Sequence, residues 1–344
     1  MTDTPNPLGS PAAPGTPDSP VAPGPPGTPG PPGTPGTPER HYSRRSLLTT
    51  GAVTAGAAAL AGAAGGVALT QGAAPRPVIQ PSGRRRFEGK VVLITGATSG
   101  IGRSAALMFA AEGGKVGFCG RRENLGAEVE REIRAAGGEA SYVRADVRVE
   151  ADVQRFVDTV AGRYGGLDVC FNNAGITLEK PLHEYTSAEW DDVVNTDLRG
   201  NFLALKYEVP HLIRRGGGTV VVTASSNVCT TTEKRSAYTA AKHGIVGMVN
   251  CAAFDYAPYN IRINTLIPGT TDTELVRRAA GAMSLPDPVW AAMAATYGRA
   301  NIPAMKRMAT PDEIAVGALA LASADFSYMT ASQLLMDGGK SAYA

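Results

Sequence analysis

The chain is poor in the residues that mark several functional classes. Only four of its 344 residues are cysteine (Cys119, Cys170, Cys229 and Cys251). None forms a CxxC pair or stands at zinc spacing from a histidine. A disulfide framework is not expected, and the four read as free thiols, most of them small core hydrophobes. The four histidines (His41, His183, His211 and His243) form no cluster, so no metal centre is indicated. Excess charge is also missing. Lys and Arg number 33 against 31 acids, and residues 1–86 hold seven Arg and only three acids. That leaves 26 basic and 28 acidic side chains for the rest. The part expected to fold is therefore not basic, which argues against a nucleic-acid partner.

The first 40 residues contain little that a core could bury. They are mostly Pro, Gly, Thr and Ser, as in "PGPPGTPGPPGTPGTP". Such a tract cannot offset its chain entropy by packing and is expected to be disordered. Residues 41–74 follow a different pattern. Arg44-Arg45 precede "SLLTTGAVTAGAAALAGAAGGVAL", which is free of charge from Leu47 to Leu69. An arginine pair before a moderately apolar stretch resembles a twin-arginine export signal. The stretch is long enough to span a bilayer, but its Ala and Gly gain little from lipid. Export is the reading preferred, with transient membrane contact. An uncleaved anchor, or a cytoplasmic protein with this segment packed in the fold, is the alternative. Residues 75–86 read as a linker.

From residue 87 onward apolar runs alternate with helical patterns. Val91 to Ile94 read as a buried parallel strand. The loop Thr95-Gly96-Ala97-Thr98-Ser99-Gly100-Ile101-Gly102 follows, then a helix. Glycines allow a pyrophosphate close to the backbone, and the helix N-terminus favours its charge. A second strand, Lys115 to Cys119, ends at Gly120-Arg121-Arg122. An acid at this position would hold a ribose 2′-OH, whereas a cation suits a 2′-phosphate. Arg121 therefore favours NADP over NAD; a solvated pair opening the next helix is the plain alternative. The third strand ends at Asp146-Val147 and the fourth at Asn172-Asn173-Ala174-Gly175. Asp146 can also cap the helix that begins near Glu150. Successive βα units with Gly-rich turns at strand ends predict an α/β fold, a doubly wound parallel sheet in one domain over residues 87–344.

The second half carries "SAYTAAKHGIVGMV", in which Tyr238 and Lys242 are one helical turn apart. An ammonium favours a neighbouring phenolate, which makes such a tyrosine a general acid/base. An aromatic packed under an aliphatic stem gives the same spacing. Ser225 ends the fifth strand 13 residues upstream, with Ser226 beside it. "SAEWDDVVNTDLRGNFLALKYEVPHLI" reads as one long helix. Pro268-Gly269 and Thr271 follow the sixth strand. The region from Asp272 to about Arg307 is rich in Ala, Met and Pro. Met283, Leu285, Trp290, Met293 and Met305 would give it an apolar inner face, although for any one of them ordinary helix core is the preferred reading.

These motifs, in this order, resemble the short-chain dehydrogenase/reductase family over roughly residues 87–344. Residues 95–102 match its TGxxxGIG hallmark, and Asn172 to Gly175 match its NNAG motif. The resemblance implies a Rossmann-fold oxidoreductase transferring hydride between NADP(H) and a carbonyl/secondary-alcohol pair. It implies Tyr238 as general acid/base, Ser225 orienting the substrate oxygen, and Lys242 holding the nicotinamide ribose. Gly96, Ser99, Gly100, Ile101 and Gly102 would bind the phosphates. Asp146 and Val147 would meet the adenine; Asn173, Ala174 and Gly175 the ribose; Pro268, Gly269 and Thr271 the nicotinamide. The region 272–307 would be the substrate lid. A homotetramer or homodimer is implied as well. One position departs from the pattern. The family's asparagine, whose backbone carbonyl helps hold a water beside the lysine, is here Asp197. A carboxylate there adds a charge that raises the affinity of Lys242 for its proton. A non-catalytic NADP-binding scaffold, or an NAD-dependent alcohol or sugar dehydrogenase, remains the rival. N-terminal sequencing of the exported protein tests the leader: a cleaved signal exposes a new terminus near Gly72–Ala74, an uncleaved anchor does not.

Overall fold

Alternate residues of the first strand, β1 (Val91–Thr95), pack into two different cores, and this sets the architecture. Val91 and Leu93 join one apolar cluster, Val92 and Ile94 the other. A strand buried on both faces reads as a continuous apolar run and needs helices on either side. The computed structural model describes residues 76–79 and 83–343. The tract 1–40 and the signal-like segment 41–74 lie outside these residues. Among the described residues no helix is long and apolar enough to cross a membrane.

The elements after β1 alternate as expected. They run α1 (Gly100–Ala111), β2 (Lys115–Gly120), α2 (Glu123–Ala135), β3 (Glu139–Arg144), α3 (Glu150–Tyr164) and β4 (Val169–Asn172). Then come α4 (Ser187–Val194), α5 (Gly200–Arg215), β5 (Gly218–Thr223), α6 (Ser236–Tyr256) and β6 (Ile261–Pro268). The chain closes with α7 (Glu274–Ala279), α8 (Asp287–Asn301), α9 (Pro311–Ala322) and β7 (Gln333–Met336). Local chemistry sets several boundaries. Thr186 and Thr310 each form a capping box with the glutamate three residues on, and Pro311 starts α9. Gly165 and Gly216 end α3 and α5 in the left-handed conformation that costs glycine least.

The seven strands are parallel in the order β3-β2-β1-β4-β5-β6-β7. Helices α3, α5 and α6 cover one face through residues such as Phe156, Leu203 and Ile245. Helices α1, α2 and α9 cover the other through Phe109, Ile133 and Leu319. Because β1 lies between β2 and β4, the strand order reverses there. A crevice opens beyond the carboxyl ends of the strands at that switch point.

Three expectations need correction. The long helix predicted over 187–213 is broken by a π-helical turn, Asn195–Arg199, in which Gly200 N–H reaches the carbonyl of Asn195. Of the cysteines only Cys119 and Cys170 are buried; Cys229 and Cys251 are exposed. In the region 272–307, Trp290 is buried and Leu285 and Met293 pack against it, whereas Met283 and Met305 are exposed. The last two lie just beyond either end of α8, where the apolar stripe no longer faces the core.

Sheet–helix packing is tight at Gly117 in β2, where an added Cβ would stand 2.3 Å from Val160 Cγ1. Gly117→Ala is expected to destabilise by about 1–3 kcal/mol through overpacking. Gly162→Ala, with open space around it, should gain about 0.5–1 kcal/mol from helix propensity. Thermal unfolding of both variants checks the contrast.

Candidate active site

The floor of the crevice depends on one hydroxyl. Thr95 Oγ1, at the end of β1, accepts from the backbone N–H of Asn173 (3.0 Å) and of Ala174 (3.2 Å). The glycine loop and the NNAG segment are thereby drawn together. Gly96 has a φ of +69°, and a Cβ on it would fall 2.6 Å from Ala174 Cα. Only glycine satisfies both limits. Ser99 precedes α1, whose first turn holds no acid of its own; the Glu274 carboxylate, paired with Arg122, reaches Ser99 from α7. The cleft has a volume of about 310 Å³. It is lined by Gly96, Ser99, Gly100, Ile101, Arg121, Asp146, Val147, Asn173, Ala174 and Gly175 on the β1–β4 side. Asp197, Ser225, Tyr238, Lys242, Pro268, Gly269 and Thr271 line the remainder. Gly102 is the exception. It lies beneath the loop, where a Cβ would stand 2.4 Å from Gly96 O, and packs rather than lines.

At the β5 end the cleft holds a buried ion pair. Lys242 is 3% exposed and Asp197 0%. Lys242 Nζ stands 3.1 Å from Asp197 Oδ2 and donates to Thr223 O at 3.0 Å. The same ammonium lies 5.4 Å from the centre of the Tyr238 ring, so the two side chains share one face of α6. Asp197 Oδ1 accepts from Ile176 N at 2.8 Å. Burial opposes the charge on Lys242, but the Asp197 carboxylate more than offsets it and raises its proton affinity above that of an ordinary lysine. Burial also raises the Asp197 carboxyl, against the pull of Lys242 and the Ile176 N–H.

The π turn explains this placement and changes one expectation. Its extra residue re-aims Asp197 into the cleft. The Asp197 carbonyl already accepts from the side-chain amide of Asn201, which leaves it one further lone pair. The carboxylate, rather than the carbonyl, is what meets the lysine. Ser225 Oγ accepts from Asn227 N at 3.2 Å and faces the cleft, whereas Ser226 does not line it.

The far end bears on the nucleotide. A Cβ at Gly120 would stand 2.5 Å from Thr98 Cγ2, so the Thr98 side chain occupies the place an acid there would need. Arg121 is exposed on the rim. Arg122 turns inward, donating to Ser99 Oγ (2.6 Å), to Thr98 Oγ1 (3.1 Å) and to the carboxylate of Glu274. Asp146 does not cap α3, whose N-cap is Val149. Its carboxylate accepts from the backbone and guanidinium of Arg148, which holds it below the usual carboxylate range. Sequence reasoning missed Thr98, Arg122, Thr273, Glu274 and Arg278 as cleft residues. Arg122 could have been found from its place beside Arg121, but no local pattern marks Glu274, 152 positions away. The segment above the cleft is anchored at its root by Asp272, which accepts from Trp290 Nε1 at 2.7 Å and pairs with Arg76 at 2.6 Å.

Residues 90–283 match the family described as short chain dehydrogenase. The chain belongs to this family. An uncharacterized oxidoreductase of Bacillus subtilis (strain 168) is 38% identical over 261 residues, covering 75% of this chain and 93% of the relative. A levodione reductase of Leifsonia aquatica is 38% identical over 260 residues, covering 75% and 96%. The crystal structure of levodione reductase superposes with a TM-score of 0.69 at 37% identity, covering 75% of this chain and all of the other. This short-chain dehydrogenase is therefore an oxidoreductase of a family that uses nicotinamide cofactors, NAD(P). Its residues fit such a group: Gly96 leaves the space a side chain would fill, and the first turn of α1 carries no acid of its own.

Removing one partner of the buried pair strands the other. Asp197→Ala is expected to cost about 3–5 kcal/mol in denaturant unfolding. Asp197→Asn should cost less, because the amide still offers an oxygen to Lys242.

Proposed function

We propose that this dehydrogenase interconverts a carbonyl compound and its secondary alcohol with NADP(H). The observation that carries the reading is that Ser225, Tyr238 and Lys242 line one cleft with the glycine loop. Tyr238 donates a proton to the substrate oxygen during reduction and recovers it during oxidation. Ser225 Oγ donates a hydrogen bond to the same oxygen and sets its distance from the phenol. Lys242 orders the nicotinamide ribose, and its pairing with Asp197 keeps it charged while it does so. The cofactor, when bound, supplies the hydride. Gly96, Ser99, Gly100 and Ile101 hold its phosphates against the start of α1. Asp146 and Val147 flank the adenine; Asn173, Ala174 and Gly175 flank the ribose; Pro268, Gly269 and Thr271 flank the nicotinamide.

Preference for the 2′-phosphate rests on two features of this chain. Thr98 occupies the place at Gly120 that an acid selecting NAD would need, and Arg121 stands exposed beside it. Arg122 is already engaged by Glu274, Thr98 and Ser99, so Arg121 is the cation assigned to the phosphate. The likeness to a levodione reductase supports a ketone or alcohol as the substrate class.

Tyr238→Phe keeps the ring and removes the proton. Turnover on a graded panel of ketones and alcohols should fall by about 10²–10⁴-fold, while NADP(H) binding by fluorescence titration is retained. Full turnover in this variant would overturn the assignment.

A further inference from the structure

One buried acid takes no part in the site described so far. Glu208 lies on α5 among Leu205, Val209 and Leu212, and is 0% exposed. Asn172 Nδ2, at the end of β4, donates to Glu208 Oε2 at 2.9 Å. The other oxygen of each side chain, Glu208 Oε1 and Asn172 Oδ1, is buried without an N–H or O–H donor. Two unpartnered acceptors on a single bonded pair form an arrangement that folded proteins rarely leave standing. As an ionised carboxylate, Glu208 has no hydrogen to offer. As a neutral acid it has one, and an acid and an amide already joined on one side can close the second hydrogen bond.

The surroundings favour the neutral form. The buried Cys170 thiol on β4 reaches Glu208 as a weak donor, and Cys119 of β2 lies buried in the same core. No lysine, arginine or histidine pairs with Glu208 among the described residues. A buried carboxylate without a cation is the costly case. Burial pushes the Glu208 carboxyl up to about 7, against the smaller pull of Asn172 and Cys170.

We infer that Glu208 is a protonated positioning residue that clamps Asn172 by a paired acid–amide contact and so fixes the strand end from which Asn173–Gly175 departs. Asn172 is in register with Thr95 of β1 and Val222 of β5. A shift of its side chain is therefore felt where Thr95 Oγ1 holds the next two N–H groups. The clamp itself stands on the fold alone; its effect on the dinucleotide rests on the function proposed above.

The sign of the pH effect follows from the direction of the shift. A carboxyl raised in the folded state gives stability that is complete below its unfolded value of about 4.5 and is lost as pH rises through about 7. Glu208→Gln preserves the shape, accepts from Asn172 Nδ2, donates to Asn172 Oδ1 and has no proton to lose. In the full-length protein, the ratio of wild-type to E208Q unfolding constants should rise on the order of a hundredfold across this range. Parallel pH curves would overturn the clamp. A carboxyl-labelled infrared spectrum of the wild type reads protonation directly, should E208Q fail to fold. A protonated buried carboxyl at mildly acid pH supports the inference, and its absence defeats it. Titration with NADP+ gives the second readout. Wild-type affinity should weaken as pH rises through about 7 while that of E208Q does not. If neither protein binds, the cofactor reading fails and the unfolding curves still decide the clamp.

Discussion

The pairing of Lys242 with Asp197 is the contact on which the β5 end of the cleft depends. It joins four separate segments: α6 through the lysine, the π turn through the aspartate, β5 through Thr223 O, and the loop after β4 through Ile176 N. Withdrawing two charges from water costs several kcal/mol each, and the attraction between them repays this only when the remaining hydrogen-bonding positions are filled. Here Asp197 Oδ1 has its own donor, whereas Oδ2 depends on the lysine alone. The pair contributes less to stability than to definition. With both groups in place, the ammonium beside the Tyr238 ring is fixed before any ligand arrives.

Much of this was legible in the sequence because a doubly wound sheet leaves a strong imprint. A strand buried on both faces reads as a continuous apolar run, as Val91–Ile94 does before the polar Thr95 at its end. The glycine loop could be read because the backbone there tolerates no side chain, and the Tyr238–Lys242 spacing because one turn of helix is a fixed length. What escaped notice lacks a local signal. The π turn inserts one residue into an otherwise helical pattern, and "NTDLRGN" carries no glycine–proline break to announce it. The Arg122–Glu274 contact joins residues 152 positions apart. Glu208 falls on the buried stripe of an amphipathic helix, where periodicity alone asks for an apolar residue.

The two walls of the cleft differ in kind. The wall made by β1, β4 and β5 is backbone and short side chains, with close approaches such as Gly96 to Ala174. The opposite wall is Thr273 and α7, tied down by a few polar contacts at Asp272 and by the small core around Trp290 of α8. Glu274 links the two by reaching Arg122 across the nucleotide end. Any motion that admits substrate is therefore expected to break contacts of the second wall and leave the first unchanged.

The strand order also has a kinetic side. Val92 of β1 pairs with Val169 of β4, so almost eighty residues must be gathered before the crevice at their junction exists. Closing so long a loop precedes any reward from the contact, and parallel sheets fold slowly for this reason. Until that step the apolar edges of both strands are bare and open to pairing with other chains. A nucleotide cannot guide the assembly, because its seat appears only once β4 has docked; it can only retain molecules that have already arrived.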